Sequence, residues 1–278
     1  LRRMHEITAE PTYLSAEERG QTRALYQAAF PEDTERFVDF YYQYKTKDNQ
    51  ILVLKQDGQI VSMLHRNPYN MIMNGYEFPA DYIVAVATEK SFRHQGCMRK
   101  LLEKALNDMA DQGMPFAFLM PASESIYAPF DFVWICPYTE LPMRVERMSA
   151  EAQNRYLAGR YQMFCKRDAR YMENLQAERI AETGEAMPDH IPPFMARVTD
   201  VTSMLCLIGS QEEKVLYLKI RDPIVEENNG YFCWTTAPEA STAERMKEVP
   251  ERIDLELTIG ELTSFLFEGM KICLSESV

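Results

Sequence analysis

The chain has 278 residues, of which 46% are apolar and 26% are charged, a balance typical of a folded globular protein. Its formal net charge of −12 argues against a nucleic-acid partner, because proteins that bind phosphate backbones carry a basic surface. The six cysteines are scattered without a CxxC pair, so we expect no metal site and no disulfide framework. Without an apolar run of roughly 18 to 20 residues or a signal-peptide pattern, we expect a cytoplasmic protein with no membrane partner.

Two helices are predicted near the start of the chain. The stretch SAEERGQTRALYQAAF (15–30) begins with Ser15 and Glu18 at capping-box spacing, which predicts a helix from Ser15 onwards. The stretch DTERFVDFYYQYK (33–45) predicts a second helix, with Asp33 or Thr34 as its cap. An aromatic stripe on the second helix is most simply part of the core, although it could line a substrate pocket.

The next segment reads as two hairpins. They turn at Asp57-Gly58 and at Asn74-Gly75, the dipeptides most typical of two-residue hairpin loops. The last strand, Tyr82 to Thr88, is nearly continuous apolar sequence, as expected of a strand covered on both faces. A helix beginning near Cys97, a strand at 115–120, a short helix and the strand FVWICPY follow.

After Pro142 the sequence changes in character. Residues 149–180 are polar and predict helices without strands, and residues 182–193 resemble a linker rich in proline, glycine and acids. The last part predicts a helix in SMLCLIG, strands VLYLKIRD and GYFCWTT around Asn229-Gly230, strand RIDLELT and helix IGELTSFLFEG. The predicted fold class is therefore α+β, with a mostly antiparallel N-terminal sheet and a smaller C-terminal α+β domain.

The stretch SFRHQGCMRK (91–100) combines a strand end, a loop and a helix start. Unpaired amides and the positive end of the helix dipole favour an anion at such a place, and Gly96 lets a ligand approach the backbone. It is neither a Walker loop, since no GK[ST] follows, nor a dinucleotide fingerprint, since it has one glycine. By itself the pattern indicates an anion site, with a basic surface turn as the alternative.

This stretch resembles the acetyl-CoA loop of the GNAT (Gcn5-related) N-acetyltransferase superfamily. That loop reads Arg or Gln, two residues, Gly, one residue, Gly or Ala, and residues 93–98 match it except at the last position, where Met98 stands. The family also draws backbone hydrogen bonds for the pantetheine arm from the preceding strand. The resemblance implies the following cofactor-binding residues: Val86, Ala87, Thr88, Arg93, His94, Gln95, Gly96, Cys97, Met98, Arg99 and Ser123.

Three further features are similar to the enhanced-intracellular-survival (Eis) type within this superfamily. They are the segment SESIYAPFDF, the C-terminal part from ARVTDV to LTIGELTSFLFEG, and the tail KICLSESV. The resemblance implies Tyr127 as general acid and a catalytic terminal carboxylate at Val278. It also implies a GNAT domain at 1–142, a helical connector at 143–194 as the remnant of a middle domain, and a sterol-carrier-protein-like (SCP2-like) domain at 195–278.

The chemistry of acetyl transfer suits Tyr127 better than Val278. A phenol with a reference pKa of about 10 stays protonated at neutral pH and can protonate a departing thiolate, whereas a carboxylate with a pKa of about 3.5 is a weak base unless desolvation or a relaying water helps it. Cys97 at a helix start should have a lowered pKa, yet it lacks a His/Asp constellation, so we expect only a backbone role for it.

The predicted function is acetyl transfer from acetyl-CoA to an amine of a small acceptor, which could be cationic and aminoglycoside- or polyamine-like. Two alternatives remain open at this point: an acyl-CoA or lipid carrier or sensor without turnover, and an acetyltransferase acting on protein lysines or N-termini. The number of subunits also stays open, with a homo-oligomer among the options. No metal is expected.

Overall fold

The computed structural model describes residues 9–184, 191–238 and 240–277. The helices in these residues are α1 (Arg23–Ala29), α2 (Glu35–Gln43), α3 (Cys97–Asp111), α4 (Glu124–Tyr127), α5 (Met143–Glu146), α6 (Ala150–Ala158), α7 (Ala169–Ala181), α8 (Val201–Cys206) and α9 (Ile259–Phe267). The strands are β1 (Thr12–Tyr13), β2 (Gln50–Gln56), β3 (Gln59–Met73), β4 (Tyr76–Thr88), β5 (Phe116–Leu119), β6 (Val133–Cys136), β7 (Met163–Cys165), β8 (Phe194–Val198), β9 (Lys214–Arg221), β10 (Gly230–Thr236), β11 (Thr242–Met246), β12 (Leu255–Thr258) and β13 (Ile272–Cys273). The predicted α+β class is confirmed.

Both predicted hairpin turns are confirmed. Asp57 and Gly58 join β2 to β3 with φ of 51° and 80°, and Asn74 and Gly75 join β3 to β4 with φ of 51° and 87°. Two consecutive positive φ angles define the turn whose twist matches that of the flanking strands. Asn, Asp and Gly tolerate this conformation best, which is why the dipeptides identify the turns.

The first predicted helix is wrong in its start. Glu18 accepts the Ser15 N–H at 3.0 Å, as in a capping box, but residues 19–22 form a 3-10 turn and α1 begins only at Arg23. Gly20 lies inside the predicted helix, and glycine is unfavourable in helices because it loses most backbone freedom. The second helix is confirmed as α2, capped by Thr34, whose hydroxyl accepts from Phe37 N at 3.2 Å.

The chain divides into two compact units, and β3, β4 and α3 each contribute residues to both. Unit 1 comprises the described residues within 1–68, 83–105 and 170–187, and unit 2 those within 69–82, 106–169 and 188–278. In unit 1, β1 pairs with β2 and β2 with β3, all antiparallel. The core of unit 1 includes Ile51, Leu52, Val53, Leu54, Met63 and Leu64, each without exposed surface.

In unit 2, β5 joins strands from distant parts of the sequence. It pairs parallel with Asp81 and Tyr82 of β4 and antiparallel with β8, which in turn pairs with β6. The strand β7 pairs with the end of β3 and with β13. The expectation that residues 149–180 hold no strand is therefore wrong: Met163–Cys165 is a fully buried apolar triplet between two polar helices. The strands β3 and β13 complete the hydrogen bonding of β7, and both are too distant in sequence for the pairing to be foreseen.

A second sheet in unit 2 has the strand order β11-β10-β9-β12. The strand β11 was not predicted, and Asn229-Gly230 is not a two-residue turn. Instead the Asn229 side chain brackets Asp222, accepting from its N–H at 2.9 Å and donating to its carbonyl at 2.7 Å. One face of this sheet carries buried side chains, which include Leu218, Ile220, Phe232 and Trp234. The predicted domain boundaries at 142 and 194 stay predictions.

Candidate active site

The loop between β4 and α3, residues 89–96, is tied to the end of the strand by its own side chains. Arg93 Nε donates to the Thr88 carbonyl at 3.2 Å, and Gln95 Nε2 donates to the Ser91 carbonyl at 2.8 Å. Glu89 accepts from the Ser91 N–H at 3.2 Å and from its hydroxyl. The loop thus has a defined shape, with Arg93, His94 and Gly96 exposed on it.

The backbone of this loop needs a glycine at position 96. His94 and Gly96 have φ of 62° and 80°, and a Cβ built on Gly96 would meet nothing within 4 Å. The angle therefore selects glycine, and the space beside its Cα is open. The first helical hydrogen bond runs from Lys100 N to the Gly96 carbonyl at 3.1 Å. The backbone amides before Lys100, at the start of α3, therefore have no acceptor within the helix. This 15-residue helix directs its positive end to the loop.

The strand that leads into the loop is irregular at Ala85, which has a φ of 50°. A positive φ is uncommon for a residue other than glycine, so the extended backbone of β4 is locally distorted here. Beyond Ala85, Ser62 Oγ donates to the Ala87 carbonyl at 3.0 Å and lies 2.8 Å from Thr88 Oγ1. Residues 84–86 are only half-buried, although the sequence predicted a strand covered on both faces.

The expected lowering of the Cys97 pKa is wrong. The thiol is buried, and burial raises its pKa because the thiolate would lose its hydration. Its Sγ lies 3.5 Å from the Phe92 carbonyl, to which it donates. Met98 is half-buried in the first turn of α3, and Arg99 is exposed, with Nη1 3.2 Å from Glu103 Oε1.

Tyr127 is the last residue of α4 and belongs to unit 2. Its side chain is buried with 9% of its surface exposed, and its ring meets Phe132 edge-on at 6.0 Å between centroids. Burial raises the pKa of Tyr127 to about 12. No partner of its hydroxyl is found among residues 9–184, 191–238 and 240–277. The phenol is therefore protonated at neutral pH, as the acid role requires.

The remaining predicted residues separate by unit. Val86, Ala87, Thr88 and residues 93–99 lie in unit 1, where the β4–α3 connection brings them together. Ser123 lies in unit 2, exposed at the start of α4, with Oγ 2.9 Å from Ser125 Oγ. Val278 lies outside the described residues. In the described part of the chain, no cluster of three metal-ligating side chains is found, and no helix is long and apolar enough to cross a membrane.

The C-terminal tail, residues 272–277, is held along its length within unit 2. Thr139 N donates to the Leu274 carbonyl at 2.7 Å. Tyr138 Oη donates to the Ser275 carbonyl at 3.3 Å, and Tyr82 Oη to the Ser277 carbonyl at 3.4 Å. Donors at positions 82, 138 and 139 thus bind three successive parts of this segment.

A buried ion pair joins the same tail to the exit of β7. Arg167 Nη1 lies 2.8 Å from Glu276 Oε1, and each side chain is 1% exposed. Sequence reasoning missed both residues, because Arg167 stands in the polar run CKRDAR and Glu276 in the polar run SES, which are typical of solvated segments. The one available signal was the apolar triplet at 163–165, which would have predicted a strand leading to Arg167.

Two family models match the sequence. Residues 10–135 match the acetyltransferase (GNAT) domain, and residues 201–272 match a sterol carrier protein domain. The chain carries a GNAT acetyltransferase domain and a C-terminal sterol carrier protein domain. No curated protein matches the sequence.

Solved structures with the same fold are distant in sequence. A probable N-acyltransferase from Enterococcus faecalis is 15% identical with a TM-score of 0.67, over 94% of this chain and 90% of that one. A GCN5-related N-acetyltransferase from Anabaena variabilis is 14% identical with a TM-score of 0.66, over 93% and 90%. Eis1 from Mycobacterium abscessus is 11% identical with a TM-score of 0.66, over 94% and 90%. The predicted GNAT fold with a C-terminal sterol-carrier-like domain is thereby confirmed.

Proposed function

We propose that this protein is an N-acetyltransferase of the Eis type, which transfers an acetyl group from acetyl-CoA to an amine of a small acceptor. The observation that carries the proposal is the connection from β4 to α3: a strand with a left-handed residue at Ala85, a loop with an open glycine of φ 80°, and the start of a 15-residue helix. The GNAT domain match covers this connection.

The pyrophosphate of acetyl-CoA is the anion proposed for the loop. Gly96 leaves room beside the backbone, and the amides at the start of α3 offer donors at the positive end of the helix. The guanidinium of Arg93 is held next to the strand end by Thr88, which keeps a positive charge at the same loop. Backbone groups of Val86 to Thr88, which follow the left-handed Ala85, are proposed to bind the pantetheine arm, with Ser123 as a further cofactor contact.

The proposed reaction joins the amine nitrogen to the thioester carbonyl carbon and breaks the carbon–sulfur bond. Tyr127 gives its phenolic proton to the departing thiolate, and the acceptor nitrogen loses a proton to a base. The family resemblance makes the carboxylate of Val278 the proposed base. Tyr127 carries the proton at neutral pH, and because burial raises its pKa it is a weaker acid than a free phenol.

A lipid or acyl-CoA carrier finds less support. The face of the second sheet formed by Leu218, Ile220, Phe232 and Trp234 is buried, and Trp234 Nε1 donates to the Leu205 carbonyl of α8 at 3.1 Å. We infer that this buried face serves the packing of unit 2 rather than the binding of an acyl chain. The acceptor proposed here is a small amine, and a protein amine is the competing choice.

Thiol release from acetyl-CoA tests the proposal. The protein is incubated with acetyl-CoA and a panel of aminoglycosides, polyamines and peptides, and acetylated products are identified by mass spectrometry. We expect amine-dependent thiol release with at least one small amine. Thiol release without any acetylated amine would overturn the proposed N-acetyltransferase activity. Acetylation confined to peptides would overturn the proposal that the acceptor is a small amine.

A further inference from the structure

The backbone of Arg167 is held by hydrogen bonds of its own, in addition to the contacts of its side chain. Asn154 Oδ1 of α6 accepts the Arg167 N–H at 2.8 Å, and Asn154 Nδ2 donates to the Arg167 carbonyl at 2.7 Å. The preceding residue, Lys166, donates its N–H to the Asn70 carbonyl at 2.8 Å. The guanidinium therefore extends from an anchored backbone.

The guanidinium binds two residues of the tail. Its Nη1 donates to Glu276 Oε1 at 2.8 Å and to the Cys165 carbonyl at 2.9 Å, and its Nη2 donates to Ser275 Oγ at 2.8 Å. The second oxygen of Glu276 accepts the Ser275 N–H at 2.8 Å. Arg167 thus binds the side chains of two successive residues of the tail, one of which also accepts a backbone N–H of the tail.

Strand pairing ends before this part of the tail. Within the described residues, β13 pairs with β7 only at Ile272 and Cys273. After the Leu274 carbonyl, side chains supply the bonds to residues 275–277: those of Arg167, Tyr138 and Tyr82. Tyr82 lies in β4, the same strand that continues to the proposed pantetheine-binding residues.

Stability alone gives a poor reason for this ion pair. Taking two charges out of water is costly, and well-packed apolar side chains of similar size often stabilise a fold as well or better. A buried pair does, however, fix geometry, because each partner is strongly penalised in any other arrangement. The burial of Arg167 and Glu276 as a pair is therefore better explained by a need to fix the position of the tail than by a need for stability.

We propose that Arg167 is a positioning residue for acetyl transfer: through Glu276 and Ser275 it holds residues 275–277 against Tyr82 and Tyr138. The inference rests on the proposed function, in which the C-terminal end supplies the base. It also assigns a function to residues 143–194, which were predicted only as a connector, since Asn154 and Arg167 both belong to this segment. Asn154 and Arg167 together anchor the tail.

Three variants test this inference. Arg167→Met removes the guanidinium, Arg167→Met/Glu276→Leu removes both charges, and Lys166→Met is the matched control, because Lys166 forms a partly exposed pair with Glu77 at 2.7 Å. The measurements are steady-state acetyl transfer and hydrogen exchange of the peptide covering residues 272–277. Denaturant unfolding reports stability alongside.

We expect Arg167→Met and the double variant to lower kcat by roughly 10- to 100-fold with an unchanged KM for acetyl-CoA, because a misplaced group loses its reactive geometry. Exchange in the tail should accelerate in both. The double variant should regain unfolding stability without regaining kcat, and Lys166→Met should match the parent. Recovery of kcat together with stability would show a merely structural pair. If the parent acetylates no amine, the proposed function fails separately, and unchanged exchange in Arg167→Met would then overturn the anchoring itself.

Discussion

The hydroxyl of Tyr41 lies 2.8 Å from Nδ1 of His65, and neither side chain has exposed surface. Burial lowers the pKa of His65 to about 3, because the protonated ring would lose its hydration. Since the unfolded value is about 6.5, the unfolded chain binds a proton between pH 6.5 and 3 that the folded protein does not. Stability should therefore fall as the pH decreases through this window.

His65→Asn should flatten that pH dependence. Asn can keep a polar atom near Tyr41 but does not titrate, so the variant should lose the part of the slope due to His65, about 1.4 kcal/mol per pH unit at most. Urea unfolding between pH 4 and 7 measures it. Val53→Ala, a fully buried substitution, serves as control, with lower stability but the slope of the parent. Equal slopes in His65→Asn and the parent would contradict the account of His65.

Gly96 and Gly58 form a matched pair for testing the loop. Both have a φ of 80°, and a Cβ on either would meet nothing within 4 Å. Substitution by alanine should therefore lower the free energy of unfolding by a similar amount at both positions, about 1 to 2 kcal/mol, because of backbone strain. Only Gly96→Ala should weaken acetyl-CoA binding, by roughly tenfold, because its Cβ would occupy the space proposed for the pyrophosphate. Calorimetric titration measures this, and equal affinities in the two variants would exclude position 96 from the site.

The buried pair between Arg197 and Asp222 should be important for stability. The two side chains have no exposed surface, with 2.5 Å between Nη2 and Oδ1, and Asp222 also accepts from the backbone N–H groups of Ile224 and Val225. Arg197→Met should cost about 3 to 5 kcal/mol of unfolding free energy, because it leaves a buried carboxylate without its cation. Arg155→Met, at an exposed pair with Glu151, should be nearly silent. Similar losses in both variants would contradict this reasoning.

Local rules predicted those parts of the fold that depend on local chemistry. Asp57-Gly58 and Asn74-Gly75 encode their turns in their own backbone preferences, and Thr34 encodes the start of α2. The strand β7 and the late start of α1 were missed. The strand β7 depends on pairing with β3 and β13, which are distant in sequence. The start of α1 depends on whether Gly20 disfavours a helix more than the capping pattern at Ser15 favours one.

The candidate site divides in the same way. The loop at Gly96 was foreseeable because a strand, a glycine and a helix start are adjacent in sequence. The left-handed backbone at Ala85 was not, since alanine gives no sign of it. The bond between Arg167 and Glu276 joins residues 109 positions apart, and nothing local marks either as buried.

Tyr127 is the proposed proton donor for the departing thiolate, and the proposed mechanism depends on it most directly. Turnover by Tyr127→Phe should fall by roughly 10²- to 10⁴-fold, as for the loss of a general acid, while its affinity for acetyl-CoA stays that of the parent. Tyr231→Phe, at a half-buried tyrosine of β10, is the control. The decisive measurement is amine-dependent thiol release by parent and variants at saturating acetyl-CoA. A Tyr127→Phe variant that turns over like the parent would contradict the proposed mechanism.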